Sequence, residues 1–225
     1  MVQGPYLTLA VVVILVALAI ALVRLPTIES RDDAAPSGMR SLFTDKALMT
    51  AVLAQFFYVG AQVGIWSFFV DFVKEQLPNT PERTAAFMLS GSLVLFMTGR
   101  FVGTMLMARV AAPLLLFAFA VINVVLCATA ALTSGAVSIA ALGLTGFFMS
   151  IMFPTIFSLG IRTLGARATL GSSLIIMAII GGAIFPPLMG LVSRASGGVQ
   201  LSLVLPMASF AVVALYARYQ RTSPN

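Results

Sequence analysis

Four polar and aromatic residues define the chemistry open to this sequence. Gln55, Tyr58, Gln62 and Trp66 recur at spacings of three, four and four, so in a helix they share one face. An amide both donates and accepts hydrogen bonds, and an aromatic ring stacks on the apolar face of a sugar. The combination suits a neutral, polyhydroxylated ligand. The competing reading is packing of helix on helix, for which glutamine is an effective adhesive inside a membrane. Two amides and two aromatics on one stripe exceed what packing needs, which favours ligand contact.

Other candidates lie further along the chain. Asn123 stands alone in an apolar run, four residues before Cys127. A mid-membrane amide is costly unless satisfied, and its partner is either a ligand or a neighbouring helix. Cys127 reads as a small buried apolar residue. Between residues 143 and 158 stand Gly143, Gly146, Ser150, Pro154 and Ser158, with Met152 and Phe153 beside the proline. Pro154 frees a backbone carbonyl and bends a helix. Freed backbone is tolerated at membrane depth where protein or a water-filled cavity satisfies it, so a cavity-lining bend and a structural kink both fit. Gly171, Gly181, Gly182, Pro186, Pro187 and Gly190 crowd another run; they suit either a gating helix that bends or a close packing surface. Arg100 is the one basic residue well inside an apolar run. It either snorkels to the interface or pairs with an acid from elsewhere, since Asp71 and Glu75 sit only at a span end.

The elements that must carry these residues are membrane helices. Residues 110–161 contain no Asp, Glu, Lys, Arg or His. As one helix they would be about 78 Å long at ~1.5 Å per residue, whereas a bilayer core is ~30 Å thick. The run must therefore cross, turn at Thr133-Ser134-Gly135 and cross back. Composition agrees: 60% hydrophobic, 9% charged and a mean hydropathy of +1.06, against about a quarter charged residues in soluble domains.

Charge-free runs place seven transmembrane helices at residues 5–23, 47–72, 84–107, 112–132, 136–161, 169–192 and 201–218. Arg24, Arg31, Arg40, Lys46, Arg109, Arg162, Arg167, Arg218 and Arg221 fall on one side; Lys74, Arg83 and Arg194 fall on the other. The positive-inside rule makes the first side cytoplasmic, with the C-terminus inside and the N-terminus of this chain outside. The connection 25–45 is the one long loop, with Pro26, Pro36 and Gly38. It separates a lone span from six closely spaced ones. Six spans suggest a three-plus-three repeat of the kind common in transporters; the lone span then belongs to another half that precedes this one.

Several function classes fall away. The +6 net charge comes from basic residues set singly at the ends of apolar runs, which is membrane topology rather than a nucleic-acid surface. The sequence has no histidine, no glycine-rich phosphate loop, no metal-ligand cluster and no catalytic triad. It reads as no enzyme, with no metal and no cofactor. Proton-driven transporters place acids or histidine within the membrane; none lies deep here, so any proton site lies outside this chain.

Four stretches carry a resemblance: QFFYVGAQVGIWSFFV at 55–70, GRFVGTMLMARVAAP at 99–113, FMSIMFPTIFSLGIRTLG at 148–165 and GSSLIIMAIIGGAIFPPLMG at 171–190. They resemble the fucose permease branch of the major facilitator superfamily, over nearly all the chain from Tyr6 onward. The resemblance implies a sugar–proton symporter working by alternating access, with twelve spans in two halves. This chain then corresponds to the sixth span (1–24), the central cytoplasmic loop (25–45) and the C-terminal six-helix half (46–225). The family's proton-coupling carboxylates lie in the N-terminal half. Residues matching its sugar-lining segments are Tyr58, Gln62, Trp66 and Phe153. Met152-Phe153 stands where the fucose branch has Gln-Tyr and resembles the glucose/galactose branch, whereas Gln62 and Trp66 are similar to the fucose branch. Met107 stands where the superfamily's loop motif has an aspartate.

The expectation is an all-α integral membrane protein of the plasma membrane, here the bacterial inner membrane: half of a major facilitator fold. Its function is that of the C-terminal part of a symporter for L-fucose or a related hexose (glucose or galactose class), inactive without its N-terminal half. The expected substrate contacts are Gln55, Tyr58, Gln62, Trp66, Asn123 and Phe153. The expected bends or gates are Pro154, Gly181, Gly182 and Pro186. The expected partners are sugar, proton, lipid bilayer and the other half. A membrane scaffold or assembly subunit is the alternative, and a half-sized homodimeric transporter ranks last.

Overall fold

A computed structural model of the chain describes residues 42–222 and, within the first expected span, residues 10, 11, 13–15, 17 and 18, which are helical. The chain divides into two units, 1–35 and 36–225. The rest of the first expected span and most of the loop 25–45 lie outside the described residues.

Six helical spans follow, each long and apolar enough to cross a membrane. Helix α1 runs Lys46–Gln76, α2 Glu82–Met107 and α3 Ala112–Leu132. The fourth span is α4, Gly135–Met149, followed by α5, Met152–Ile161. The fifth begins with a 3₁₀ turn at Gly165–Arg167, continues as α6, Ala168–Met177, passes through a 3₁₀ turn at Ala178–Ile180 and ends as α7, Gly181–Ser196. The sixth opens with the 3₁₀ turn Gln200–Leu203 and continues as α8, Val204–Thr222.

Local chemistry sets the ends. Asp45 caps α1, its carboxylate accepting from the Ala47 and Leu48 amides at 3.1 and 3.2 Å, where the helix leaves N–H groups without internal partners. The turn between α3 and α4 falls at Thr133-Ser134, with Gly135 at φ +67°, a backbone conformation glycine adopts freely.

The core centres on α1. It packs against α8, α7, α5 and the turn Ala178–Ile180, while α3 packs against α8 and α4. Tyr58, Ile65, Phe69 and Phe72 of α1 are fully buried or nearly so. In contrast α2 rests mainly on α4, and Ala85, Ser92, Gly99 and Gly103 are its buried residues. Its Phe87, Val94, Met97, Phe101 and Met105 are exposed, as suits surfaces that meet lipid or another hydrophobic partner.

At the Gln76 end of α1 a polar clamp gathers three segments. Glu75 accepts from the amides of Val199 and Gln200. Gln76 accepts from the Gly135 amide at 3.0 Å and donates to Gln200 Oε1 at 3.2 Å. Gln200 in turn donates to the Ala130 and Thr133 carbonyls at 3.2 and 2.5 Å. The end of α1, the α3–α4 turn and the α7–α8 loop are thereby tied together.

Candidate functional site

The stripe expected from spacing lies on α1, and its Tyr58 reaches the break between α4 and α5. Helical hydrogen bonding lapses at Ser150-Ile151, and the physical cause is Pro154. Proline has no N–H, so the Ser150 carbonyl four residues earlier has no helical donor. Side chains from other spans serve the break. The Tyr58 hydroxyl donates to the Met149 carbonyl at 3.0 Å, and Arg100 donates to the Ser150 carbonyl. Phe153 lies just beyond, half-buried, its ring edge-on to Tyr58 at 6.5 Å between centroids.

The remaining members of the stripe sit in different surroundings. Gln62 is half-buried and makes no hydrogen bond among the described residues. Trp66, also half-buried, meets Phe96 of α2 edge-on at 5.1 Å, and its indole N–H is buried without a partner among the described residues. Gln55 and Asn123 are both 0% exposed, and among the described residues neither the oxygen nor the nitrogen of either amide has a hydrogen-bond partner. Buried polar groups are nearly always paired, which sets these two amides apart from the rest of the described interior.

The structure thus brings Tyr58 and Phe153 together and sets Trp66 against Phe96. No hydrogen bond among the described residues joins these to Gln55 or Asn123. Pro154 is exposed on α5. Gly181 and Gly182 lie against α1: a Cβ at Gly181 would fall on the Phe56 carbonyl oxygen, and one at Gly182 would stand 2.9 Å from Val63. Pro186 lies inside α7 with Pro187. Phe96 and the Ser150 carbonyl were not legible as parts of this assembly. The signal was present in the proline four residues after Ser150, but the donor comes from a helix some fifty residues away.

Among the described residues no cluster of three His, Cys, Asp or Glu could hold a metal ion. The arrangement offers hydrogen-bonding amides, an indole N–H and aromatic faces at membrane depth, which is chemistry for recognition of a neutral polar solute.

No protein-family model matches the chain. The chain is 42% identical to the L-fucose-proton symporter of Escherichia coli K12, a match that covers all of this chain and 53% of the relative. It is 41% identical to a putative glucose/galactose transporter of Helicobacter pylori J99, over 85% of this chain and 47% of the relative. A crystal structure of an E. coli fucose:proton symporter variant matches with a TM-score of 0.89 at 42% identity, over 100% of this chain and 56% of that one. A second, of a major facilitator superfamily transporter in the outward conformation, matches with a TM-score of 0.89 at 41% identity. The chain spans about half the length of the curated relatives it matches.

The fold is therefore that of the C-terminal half of a major facilitator superfamily transporter, in an integral membrane protein. In sequence the chain is similar to fucose-proton symporters and glucose/galactose transporters. These relatives are transporters, not enzymes.

Proposed function

We propose that the chain is the C-terminal part of a sugar:proton symporter of the bacterial inner membrane, acting on L-fucose or a related hexose by alternating access. The observation that carries this reading is the 42% identity with an L-fucose-proton symporter across the whole chain, joined to the fold match. On this reading residues 1–24 are the sixth span, 25–45 the central cytoplasmic loop and 46–225 the C-terminal half, with the C-terminus cytoplasmic and the chain's N-terminus outside. An N-terminal half outside these residues completes the machine, because rocking needs a second body to move against.

The stripe on α1 forms one wall of the sugar path. Gln62 hydrogen-bonds sugar hydroxyls, Trp66 and Phe153 stack on apolar sugar faces, and Tyr58 holds the wall by its bond to Met149. Gln55 and Asn123 are enclosed in this state and reach the sugar after a helix shift that exposes their unpaired amides. Pro154, Gly181, Gly182 and Pro186 supply the bends. The described acids Asp45, Asp71, Glu75 and Glu82 all sit at or near span ends. The proton is therefore carried by residues outside this chain.

The test is uptake of labelled L-fucose, glucose and galactose by the polypeptide as its host cell makes it, with and without a protonophore. Gln62→Ala is expected to raise the sugar KM by about tenfold, the loss of a hydrogen bond or two to the ligand, while the melting temperature holds. Unchanged KM in a folded variant overturns the α1 assignment. Absence of uptake of all three sugars by the unsubstituted polypeptide overturns the symporter reading and favours a scaffold.

A further inference from the structure

Arg100 lies in the second half of α2, about two turns before its end at Met107, and no carboxylate among the described residues forms an ion pair with it. Its partner is backbone. The Ser150 carbonyl, deprived of a helical donor by Pro154, accepts from Arg100 Nε at 3.3 Å and from Nη2 at 3.2 Å. The guanidinium is steadied by Phe96 one turn earlier on the same helix, its Cζ 5.0 Å from the ring centroid, within cation–π range. Phe96 in turn stands edge-on to Trp66.

The approach of α2 is built in. A Cβ at Gly99 would fall on the Phe147 carbonyl oxygen and close to Ser150 Oγ, and one at Gly103 would fall on Ile151. Small residues at these positions let the two backbones meet. The next carbonyl back, Met149, is held by Tyr58 from α1. Two successive carbonyls at the break are thus held from two different spans.

We propose that Arg100 is a positioning residue for transport. Its guanidinium supplies the donor that Pro154 deletes, fixes the angle of α5 on α4, and so places Phe153 and Tyr58 in the sugar-facing wall. It does not touch the sugar. A guanidinium bound to a carbonyl can let go and rebind as α2 moves against α4 without stranding an anion, which suits a contact that is remade in each cycle. The consequence for transport rests on the sugar-site reading above; the Arg100–Ser150–Pro154 coupling does not.

The test is a double-mutant cycle in the polypeptide as its host makes it. Arg100→Met removes the donor, and Pro154→Ala restores an N–H able to bond the Ser150 carbonyl within the helix. Arg100→Met is expected to lower the maximal rate of labelled L-fucose uptake about tenfold with KM shifted less than about twofold, and to lower it less than about threefold when Pro154→Ala is present. Arg100→Lys, with a single compact donor group, recovers part of the rate. Read by melting temperature, which needs no transport, Arg100→Met costs a few degrees alone and little in the Pro154→Ala chain. Where Arg100→Met does not fold, Arg100→Gln takes its place in the cycle. Additive melting shifts overturn the proposal whatever the protein carries, and so does a loss seen in KM with the rate intact, which makes Arg100 a substrate contact. Failure of the unsubstituted protein to carry sugar removes the site reading, and the melting cycle then decides the coupling alone.

Discussion

Tyr58→Phe separates the two jobs that the α1 stripe can do. The side chain is 0% exposed, its hydroxyl donates to the Met149 carbonyl at 3.0 Å, and its ring meets Phe153. Phenylalanine keeps the ring and deletes the donor. A side-chain hydrogen bond inside a membrane protein is worth about 0.6 kcal/mol on average and up to ~1.7. Leaving a buried carbonyl without its donor raises the loss towards ~1–3 kcal/mol. A total near ~1–2 kcal/mol lowers the melting temperature by about 2–8 °C in a chain of this length. The assay is thermal unfolding of the purified protein, followed by sugar affinity on the same sample. If the hydroxyl serves Met149, stability falls and affinity moves less than about twofold. An unchanged melting temperature with affinity weakened about tenfold refutes the reasoning, because it puts the hydroxyl on the sugar rather than on the backbone.

Other perturbations address separate contacts. Asn123→Leu removes two buried amide atoms that have no partner among the described residues and keeps the branched four-atom side chain at a somewhat larger volume, so it is expected to stabilise the resting protein by up to about 1–3 kcal/mol, less what overpacking costs; a drop in melting temperature larger than that of Asn123→Val shows that the amide is already bonded. On the proposed sugar path the same variant loses uptake while gaining stability, a combination of activity and melting data that a packing role does not produce. Glu75→Ala removes the acceptor of two loop amides. It is expected to speed hydrogen exchange at Val199 and Gln200 with little change on α2, and unchanged exchange at those amides contradicts the clamp.

The membrane spans were legible because their cause is local. A charge-free run of about twenty residues can be satisfied in few ways, and the six described spans follow the expected ones closely. The differences lie at the ends. Helix α1 continues to Gln76 beyond the expected residue 72, because Lys74 and Glu75 sit where a helix leaves the bilayer and charge no longer opposes it. The fifth described span ends at Ser196, past Arg194, for the same reason. Contacts over long sequence separation were not legible. Glu75 read as one more charge at a span end, yet it binds a loop 124 residues away. The Pro154 bend was visible as a freed carbonyl, but nothing local to it points to Arg100. The stripe 55–66 was visible as a face, and the structure divides it: Gln55 and Tyr58 lie inside the packed half while Gln62 and Trp66 are half-covered.

That division has a mechanical reading. Helix α1 runs unbroken for 31 residues at the centre of the fold. The two spans that flank its stripe are both interrupted, one at Ser150-Ile151 and the other at the 3₁₀ turn Ala178–Ile180. Both interruptions lie level with the stripe, since Met149 meets Tyr58 and Gly181 meets the Phe56 carbonyl. A lapse in helical hydrogen bonding, as at Ser150-Ile151, and a mid-span 3₁₀ turn, as at Ala178–Ile180, are where a packed bundle bends at least cost. On the proposed function, a rigid rod carrying the polar residues, held between two spans interrupted at the same level, lets the walls of the sugar path change angle while the stripe keeps its spacing. The hinges would then respond to what occupies the stripe, since a ligand that bonds better in one wall angle than the other shifts the balance between them. The Arg100 and Tyr58 contacts, each to a carbonyl at one hinge, are the bonds such a change must break or carry along.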